Sequence, residues 1–343
     1  MNNDMTIPYG TNAYNSTSIP NQPSKPRNHI GPLSQHLPWG NPQSIFPIGF
    51  VAFTSPKKLR DDEEREDNDP GYRERLSQRL NAAFDHQRYR YTPLQGWTQF
   101  WIYMHGLGKG FFIVFTCMLF FGFWILMLID ERTFSQRLTD IFALWKWVGG
   151  VPALAWLIAH LVLKYVPERF LLKPSRKGPV WEMNRQTGMV TIFARKKGQF
   201  SKIGIEGDFV APFYEFDATI HTIPDRQGFP LHMLNMVHRY RVAAIDFSVL
   251  MGKVSRQQAC MALWDFWQRY MDISQPLPDL PELEVFRHLD PTTAEHDQRT
   301  GRPSRYWRDM DPKTFKAKID EITDVTQVNM ERPNLMAHYI QSA

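Results

Sequence analysis

The sequence has little cysteine and lacks the short motifs by which many enzymes are recognised. Cys117 and Cys260 are the only cysteines in 343 residues, and they fall in separate parts of the chain, so no disulfide framework is predicted. The patterns HExxH, CxxC, GxSxG and GxGxxG are absent, and so is a P-loop. We therefore predict a protein that is not an enzyme, with no catalytic residue, cofactor or metal.

A large excess of one charge is also missing. The 40 Lys and Arg residues stand against 35 Asp and Glu residues, which gives a formal net charge of +5. No basic stripe with interleaved aromatic residues occurs, so we predict no nucleic-acid partner. The first residues, MNNDMTIPYG, do not lead from a basic start into an apolar run, and a cleaved signal peptide is not predicted.

Charge is absent altogether from residues 111–129. As a helix this run would be about 28 Å long, close to the hydrocarbon thickness of a bilayer. A second apolar run, residues 147–163, is interrupted by glycine, proline and histidine. Only DERTFSQRLTDIFALWK separates the two runs, so residues 111–163 predict a transmembrane helical hairpin, with buried core helices as the alternative. Four small residues of the second run should allow close helix packing: Gly149, Gly150, Ala153 and Ala155.

Basic residues are densest just after the second apolar run. The membrane-proximal group consists of Lys164, Arg169, Lys173, Arg176 and Lys177. The positive-inside rule then predicts two spans in a bacterial inner membrane, with both termini cytoplasmic and the connecting turn on the far side. His160 is an intramembrane candidate, although its position near a helix end favours a side chain that reaches the interface. The glycines of GLGKG, residues 106–110, predict a hinge before the first span.

The chain before the hairpin shows few structural signals. Residues 1–70 predict a largely disordered arm rich in Asn, Pro, Ser and Gly, followed by the solvated charged linker KKLRDDEEREDNDP. Within this region, residues 44–55 are an apolar island that predicts either a strand or a segment lying on the membrane. Residues 71–110 predict an amphipathic juxtamembrane helix.

After the hairpin, residues 178–310 predict a cytoplasmic β-rich domain. VWEMN and MVTIFAR flank the turn RQTG and predict a β-hairpin, and residues 201–210, 215–223 and 231–242 predict further strands. A capping box at Ser255 would start a helix whose apolar stripe covers the sheet; the stripe is Cys260, Leu263, Trp264, Trp267 and Met271. The tail, residues 311–343, contains a possible helix over 312–323. The predicted fold class is thus a membrane α-helical hairpin plus a cytoplasmic α+β domain, an antiparallel sheet or small barrel with a covering helix.

Three histidines and one short segment are the candidates for a site. His221, His232 and His238 could bind a metal, but no Cys or carboxylate stands at a usual ligand spacing, so hydrogen-bonded or surface histidines are the favoured interpretation. RPSRYWRDM offers Arg305, Tyr306 and Trp307, the residue types that dominate protein interfaces. The alternative is that Tyr306 and Trp307 pack the tail onto the domain.

A wider pattern accompanies these residues. The segments WEMNRQTGMVTIF, VHRYRV, ALWDFWQRYMDISQPLPDLPELEVFRHLDP and RPSRYWRDM resemble a family of bacterial inner-membrane proteins found near type VI secretion and polymorphic-toxin genes. That resemblance implies a protein partner, either a toxin bound by an immunity protein or a secretion component bound by an accessory factor. The architecture is also similar to membrane proteins that carry a pleckstrin-homology-like module.

Two function classes follow. The leading hypothesis is a membrane-anchored cytoplasmic domain that binds another protein, with membrane lipid around its anchor. The alternative is a lipid- or membrane-sensing module that uses basic residues near headgroups.

Overall fold

The computed structural model describes residues 9–23, 34–51, 54–79, 82–129, 133–171 and 174–340. The chain forms two compact units. The first, here the sheet unit, comprises residues 1–78, 82–91 and 179–343, and the second, the helical unit, comprises residues 79–81 and 92–178. The helical unit is therefore an insertion in the chain of the sheet unit.

The described residues before the helical unit form several helices and strands. These elements are β1 (Ser34–His36), α1 (Pro56–Asn68), α2 (Tyr72–Arg79), β2 (Ala82–Phe84) and β3 (Arg88–Tyr91), with a 3-10 turn at Ile48–Phe50. The predicted solvated linker is instead the helix α1, because the Ser55 hydroxyl accepts a hydrogen bond from the Lys58 N–H and Pro56 occupies the first helical position. The juxtamembrane helix predicted over 71–110 is wrong as one element, since a short helix and two strands occupy its first half.

The prediction of a disordered arm is wrong for residues 9–23 and 34–51. Tyr14, Trp39 and Phe46 are almost completely buried, and their aromatic area offsets the entropy of ordering the polar segments between them. The apolar island contributes Phe46 and Val51 to the same core, so it is neither a strand nor a membrane-surface segment. Residues 1–8 and 24–33 lie outside the described residues.

The helical unit contains α3 (Gly96–Ile129), α4 (Phe134–Val148), α5 (Gly150–Tyr165) and α6 (Glu168–Leu171). Two stretches, Gly96–Ile125 and Phe134–Tyr165, are long and apolar enough to cross a membrane. The predicted helical hairpin is therefore present, but the second stretch starts earlier than predicted. Thr133 and Gln136 form a capping box that starts α4, so most of the expected polar turn is helical.

The two long helices approach each other closely at Gly108 of α3. A Cβ on Gly108 would lie 2.9 Å from the Trp156 backbone nitrogen of α5, so this close contact requires a residue without a side chain. The predicted hinge at residues 106–110 is thus a helix-packing site inside α3. At Gly149 the three nearest atoms to a Cβ all belong to Trp145 on the preceding helix turn, and the Trp145 indole N–H donates to Thr116 of α3 at 3.3 Å.

The rest of the sheet unit follows the helical insertion. Its strands are β4 (Trp181–Asn184), β5 (Met189–Ile192), β6 (Phe209–Pro212), β7 (Phe216–Pro224), β8 (Pro230–His238) and β9 (Ala244–Asp246). Its helices are α7 (Ser248–Met251), α8 (Gln257–Met271), α9 (Pro291–Thr300) and α10 (Pro312–Thr323), with 3-10 segments at Ser201–Ile203, Phe213–Glu215, Pro281–Leu289, Val325–Gln327 and Leu335–His338.

Two antiparallel sheets result. One has the order β2-β3-β4-β5-β6 and the other β1-β7-β8-β9. The predicted hairpin around RQTG is confirmed as β4–β5, and the PDRQGFP turn joins the two longest strands, β7 and β8. The strand predicted over 201–210 is only partly right, because a 3-10 turn occupies its first residues and β6 starts at Phe209.

Helix α8 is the centre of the hydrophobic core. All five residues of the predicted stripe are fully buried, but so are most of the others, including Asp265 and Gln268. The Trp267 ring lies 4.7 Å from Tyr89 of the five-stranded sheet, while α8 also packs on β7 and β8 of the other sheet. It is therefore a central helix and not a cover over one face. The predicted Ser255 cap is wrong, since α8 begins at Gln257 without a side-chain cap.

Candidate functional site

The segment RPSRYWRDM lies beside α1, the helix formed by the charge run. Arg305 keeps 41% of its side chain exposed and forms ion pairs with Glu63 of α1 and with Asp309. The Tyr306 ring is half-buried, and the Arg302 guanidinium lies 4.9 Å from its centroid. Arg305 and Tyr306 therefore remain accessible to a partner.

Trp307 has a different position. Only 2% of the residue is exposed, and its ring packs in a small cluster with Leu59 and Phe315, 5.6 Å from the Phe315 ring. Its indole N–H donates to Asp279 at 2.9 Å. Trp307 thus joins α1 to α10 within the domain, which is the packing alternative left open by the sequence.

A cleft of about 450 Å³ opens next to this segment. Its walls come from α1, α2, the 281–289 segment, α9 and the loop that carries Arg302 and Arg308. Both acidic and basic side chains line it: Glu63, Glu66, Asp67, Arg73, Glu284, Arg287, Asp297, Arg302 and Arg308. Two predicted features, the charge run and RPSRYWRDM, therefore meet at one surface.

The charges of the cleft are largely paired with one another. The Arg308 Nε donates to the buried Glu284 at 2.8 Å, while its Nη1 reaches Glu63. Arg287 forms a two-pronged pair with Asp297, at 2.7 and 2.6 Å. Such an arrangement holds the cleft rigid and leaves it without a strong field of one sign. It suits a polar partner surface that carries both charges better than a phosphate or a nucleic acid.

The three histidines do not converge. On β8, His232 and His238 share the buried face, as predicted, but six residues separate them, or about 20 Å along a strand. His221 pairs with Met233 in the register and so faces the other side of the sheet. Each histidine has its own hydrogen-bond partner: Ser34 Oγ lies 3.3 Å from His221, Thr222 Oγ1 lies 2.9 Å from His232, and Glu215 Oε2 lies 2.9 Å from His238.

Within the residues that the structure describes, no group of three or more His, Cys, Asp and Glu side chains could hold a metal ion. Cys260 is fully buried, and burial raises the pKa of its thiol to about 12, so it is an inert core residue. In the helical unit, the His160 ring lies beside His105, 5.7 Å between centroids, and His105 accepts a hydrogen bond from the Trp156 indole at 3.2 Å.

The membrane-proximal basic residues are only partly described. Lys164 lies on the last turn of α5, with its ammonium 5.3 Å from the Tyr165 ring centroid. Arg176 and Lys177 follow in an exposed turn. Lys173 lies outside the described residues, and for Arg169 only the backbone, in α6, is described.

Sequence reasoning missed the buried charges. Arg185, Arg239 and Arg308 each pair with an acidic residue far away in the chain, namely Asp290, Asp217 and Glu284. The available signal was weak: arginines in turns next to strongly apolar strands have the same pattern whether they face water or the core.

Comparisons of the chain with protein-family models, curated proteins and solved structures give no match.

Proposed function

We propose that the protein is a membrane-anchored binding protein rather than an enzyme. In this proposal the helical unit holds it in a bacterial inner membrane, and the sheet unit recognises another protein on the cytoplasmic side. The observation that supports the anchor is that the apolar helices are uncovered: 6% of the most apolar window of each candidate span is buried. Exposed apolar surface on this scale favours aggregation in water but is favourable in lipid.

The proposed topology follows from the basic residues after α5. Lys164, Arg176 and Lys177 favour a cytoplasmic position for the chain that enters the sheet unit. Reporter domains fused after Gln341 or before Tyr72 should therefore report the cytoplasm, and one inserted at Ser135, at the start of α4, should report the outside. An external signal from the C-terminal fusion together with a cytoplasmic one from Ser135 would overturn this orientation.

Recognition of a protein is supported by the cleft and the residues on its rim. Arg305 and Tyr306 lie beside the charge-paired cleft. The buried Trp307 ring packs edge-on against the Tyr306 ring, 5.3 Å between centroids. Arginine and tyrosine contribute to interface energy more than most residue types. The family resemblance directs the search for the partner to a secreted toxin, which would make this an immunity protein, or to a secretion component.

The experiment is affinity capture from detergent-solubilised cells with the tagged full-length chain as bait. Arg305→Ala should reduce capture of the partner severalfold and leave the midpoint of unfolding nearly unchanged, since its ion pairs are partly solvated. Arg226→Ala, on the exposed β7–β8 turn, is the matched control.

Loss of capture in Arg226→Ala but not in Arg305→Ala would move the binding surface to the β7–β8 turn. If Arg305→Ala lowers capture only in proportion to the loss of folded protein, Arg305 stabilises the fold and does not bind the partner. A wild-type chain that is stably folded and inserted yet captures no protein would contradict the proposed function.

A further inference from the structure

The loop between β5 and β6, residues 193–208, is an exposed loop of the sheet unit with four basic residues. It carries Arg195, Lys196, Lys197 and Lys202 against Glu206 and Asp208. The side chains of Lys196, Lys197 and Lys202 are exposed, and within the described part of the chain none of them forms an ion pair. Three ammonium groups are therefore available to an anion.

Several contacts anchor the loop to the sheet unit. Phe200 is buried and lies 5.7 Å from the Phe209 ring, which anchors the middle of the loop to β6. The Arg195 N–H donates to the Gln199 side chain at 2.9 Å, and the Ala194 N–H donates to Asp208 at 2.8 Å. Because these contacts fix the backbone of residues 194–208, the lysines extend from an ordered loop.

The loop encloses a cavity of about 490 Å³. Its lining includes Arg195, Lys196, Lys197, Ser201, Ile205 and Glu206. The lysine ammonium groups can donate hydrogen bonds to phosphate oxygens, whereas the Ser201 hydroxyl already donates to the Gly198 carbonyl at 2.8 Å and Glu206 opposes a second negative charge. A single phosphate group of a lipid headgroup fits such a donor set.

The register of the sheet shows where this loop emerges. Tyr91 of β3 pairs with Trp181 of β4, Trp181 pairs with Ile192 of β5, and Ile192 pairs with Phe209 of β6. The loop therefore leaves the sheet at the end from which the chain departs to α3 and to which it returns from α5. Residues 92–95 connect Tyr91 to α3.

We propose that residues 194–207 contact the phosphate headgroups of anionic lipids in the membrane that α3 and α5 enter. The proposal rests on the membrane anchoring proposed above. A nucleic acid fits this surface less well, because Phe200, the aromatic residue within 194–207, is buried and cannot stack on a base. Each lysine close to an anionic surface strengthens attachment roughly fivefold at moderate salt.

The test uses the full-length chain in nanodiscs made of phosphatidylcholine alone or with about one third phosphatidylglycerol. A fluorophore on Ser201→Cys, in a Cys117→Ala background, is quenched by lipids that carry a headgroup spin label. We expect quenching to be at least threefold stronger in the anionic discs and to fall severalfold in ~1 M salt, where the screening length is about 3 Å. Lys196→Gln with Lys197→Gln should remove most of the quenching.

The matched control is Lys313→Gln with Lys316→Gln, two exposed lysines of α10, which should leave the quenching unchanged. Equal quenching in neutral and anionic discs, or quenching that survives loss of Lys196 and Lys197, would overturn the lipid contact. The lipid contact would also be overturned if soluble polyglutamate or single-stranded DNA changed the fluorescence of the label and the anionic disc did not. A chain that inserts into discs with an unquenched loop refutes only this inference, whereas a chain that fails to insert refutes the anchor as well.

Discussion

The Arg185 guanidinium and the Asp290 carboxylate form an ion pair that is closed to solvent, with Nε–Oδ1 at 2.9 Å and Nη2–Oδ2 at 3.1 Å. The remaining N–H groups of Arg185 donate to the backbone carbonyls of Tyr270, Asp272 and Gln275. Burial by itself would raise the pKa of Asp290, but the arginine and the hydroxyls of Thr293 and Tyr9 hold it below its ordinary value. One side chain thus ties the β4–β5 turn to the end of α8 and the start of α9.

Replacing Arg185 should therefore be severe. Arg185→Ala leaves a buried carboxylate without a counter-charge and several carbonyls without donors, so we expect a loss of about 3–5 kcal/mol of unfolding free energy. Arg185→Lys should restore little, because an ammonium cannot make the two-pronged contact and reach the carbonyls as well. Urea unfolding of the detergent-solubilised chain, followed by tryptophan fluorescence, measures both. A wild-type midpoint in Arg185→Ala would show that the pair contributes nothing.

The N-terminal arm provides a second test, at Gly188. This residue has a φ of 71°, and a Cβ there would overlap the Asn12 carbonyl of the arm. Gly188→Ala should cost about 1–2 kcal/mol for the left-handed backbone, and a further 0.5–1.5 kcal/mol for the displaced arm and its hydrogen bond from Gly10 to Gln186.

Gly228→Ala is the matched control, since Gly228 also has positive φ but a Cβ there meets nothing within 4 Å. Thermal unfolding and protease cleavage of the arm should separate the two variants, with faster cleavage only in Gly188→Ala. Equal destabilisation and equal cleavage would mean that the arm does not need this contact.

Local patterns were enough to predict several elements, and distant contacts explain the failures. The β4–β5 hairpin, the β7–β8 turn and α10 were predictable because their turn residues and periodicity lie within a few positions. The arm was not, because Tyr14 and Trp39 become ordered only against Phe213 and Trp264, more than 190 residues away. For the candidate site, Arg305 and Tyr306 were identified from residue type. The cleft was not predicted, because one wall is α1, and the many charges of that segment indicate a solvated linker and not a packed helix.

A pH effect should arise from Glu282. One of its carboxylate oxygens accepts a hydrogen bond from Thr54, and the other is buried without a partner among the described residues. Burial raises the pKa of this carboxyl from 4.5 to about 7. Between about pH 4.5 and 7 the folded state therefore holds a proton that the unfolded state has released, so stability falls as the pH rises through this window.

Glu282→Gln should remove that dependence. Relative to wild type, the variant should gain about 1–3 kcal/mol of unfolding free energy between pH 4.5 and pH 8. Glu295→Gln, an exposed change on α9, is the control. Urea unfolding at pH 4.5, 6 and 8 measures the difference, and parallel curves for Glu282→Gln and wild type would exclude this carboxyl as the source.

The packing of the two long helices can be tested with two glycines of α3. A Cβ on Gly108 would lie 2.9 Å from the Trp156 nitrogen, whereas one on Gly110 would meet nothing within 4 Å. Alanine is a better helix former than glycine by about 1 kcal/mol, so Gly110→Ala should be neutral or stabilising. Gly108→Ala should instead push α3 and α5 apart and weaken the hydrogen bond between the Trp156 indole and His105. Cysteine cross-linking between α3 and α5, with insertion checked by alkaline extraction, distinguishes the variants. Equal cross-linking in both would show that the helices do not depend on this close approach.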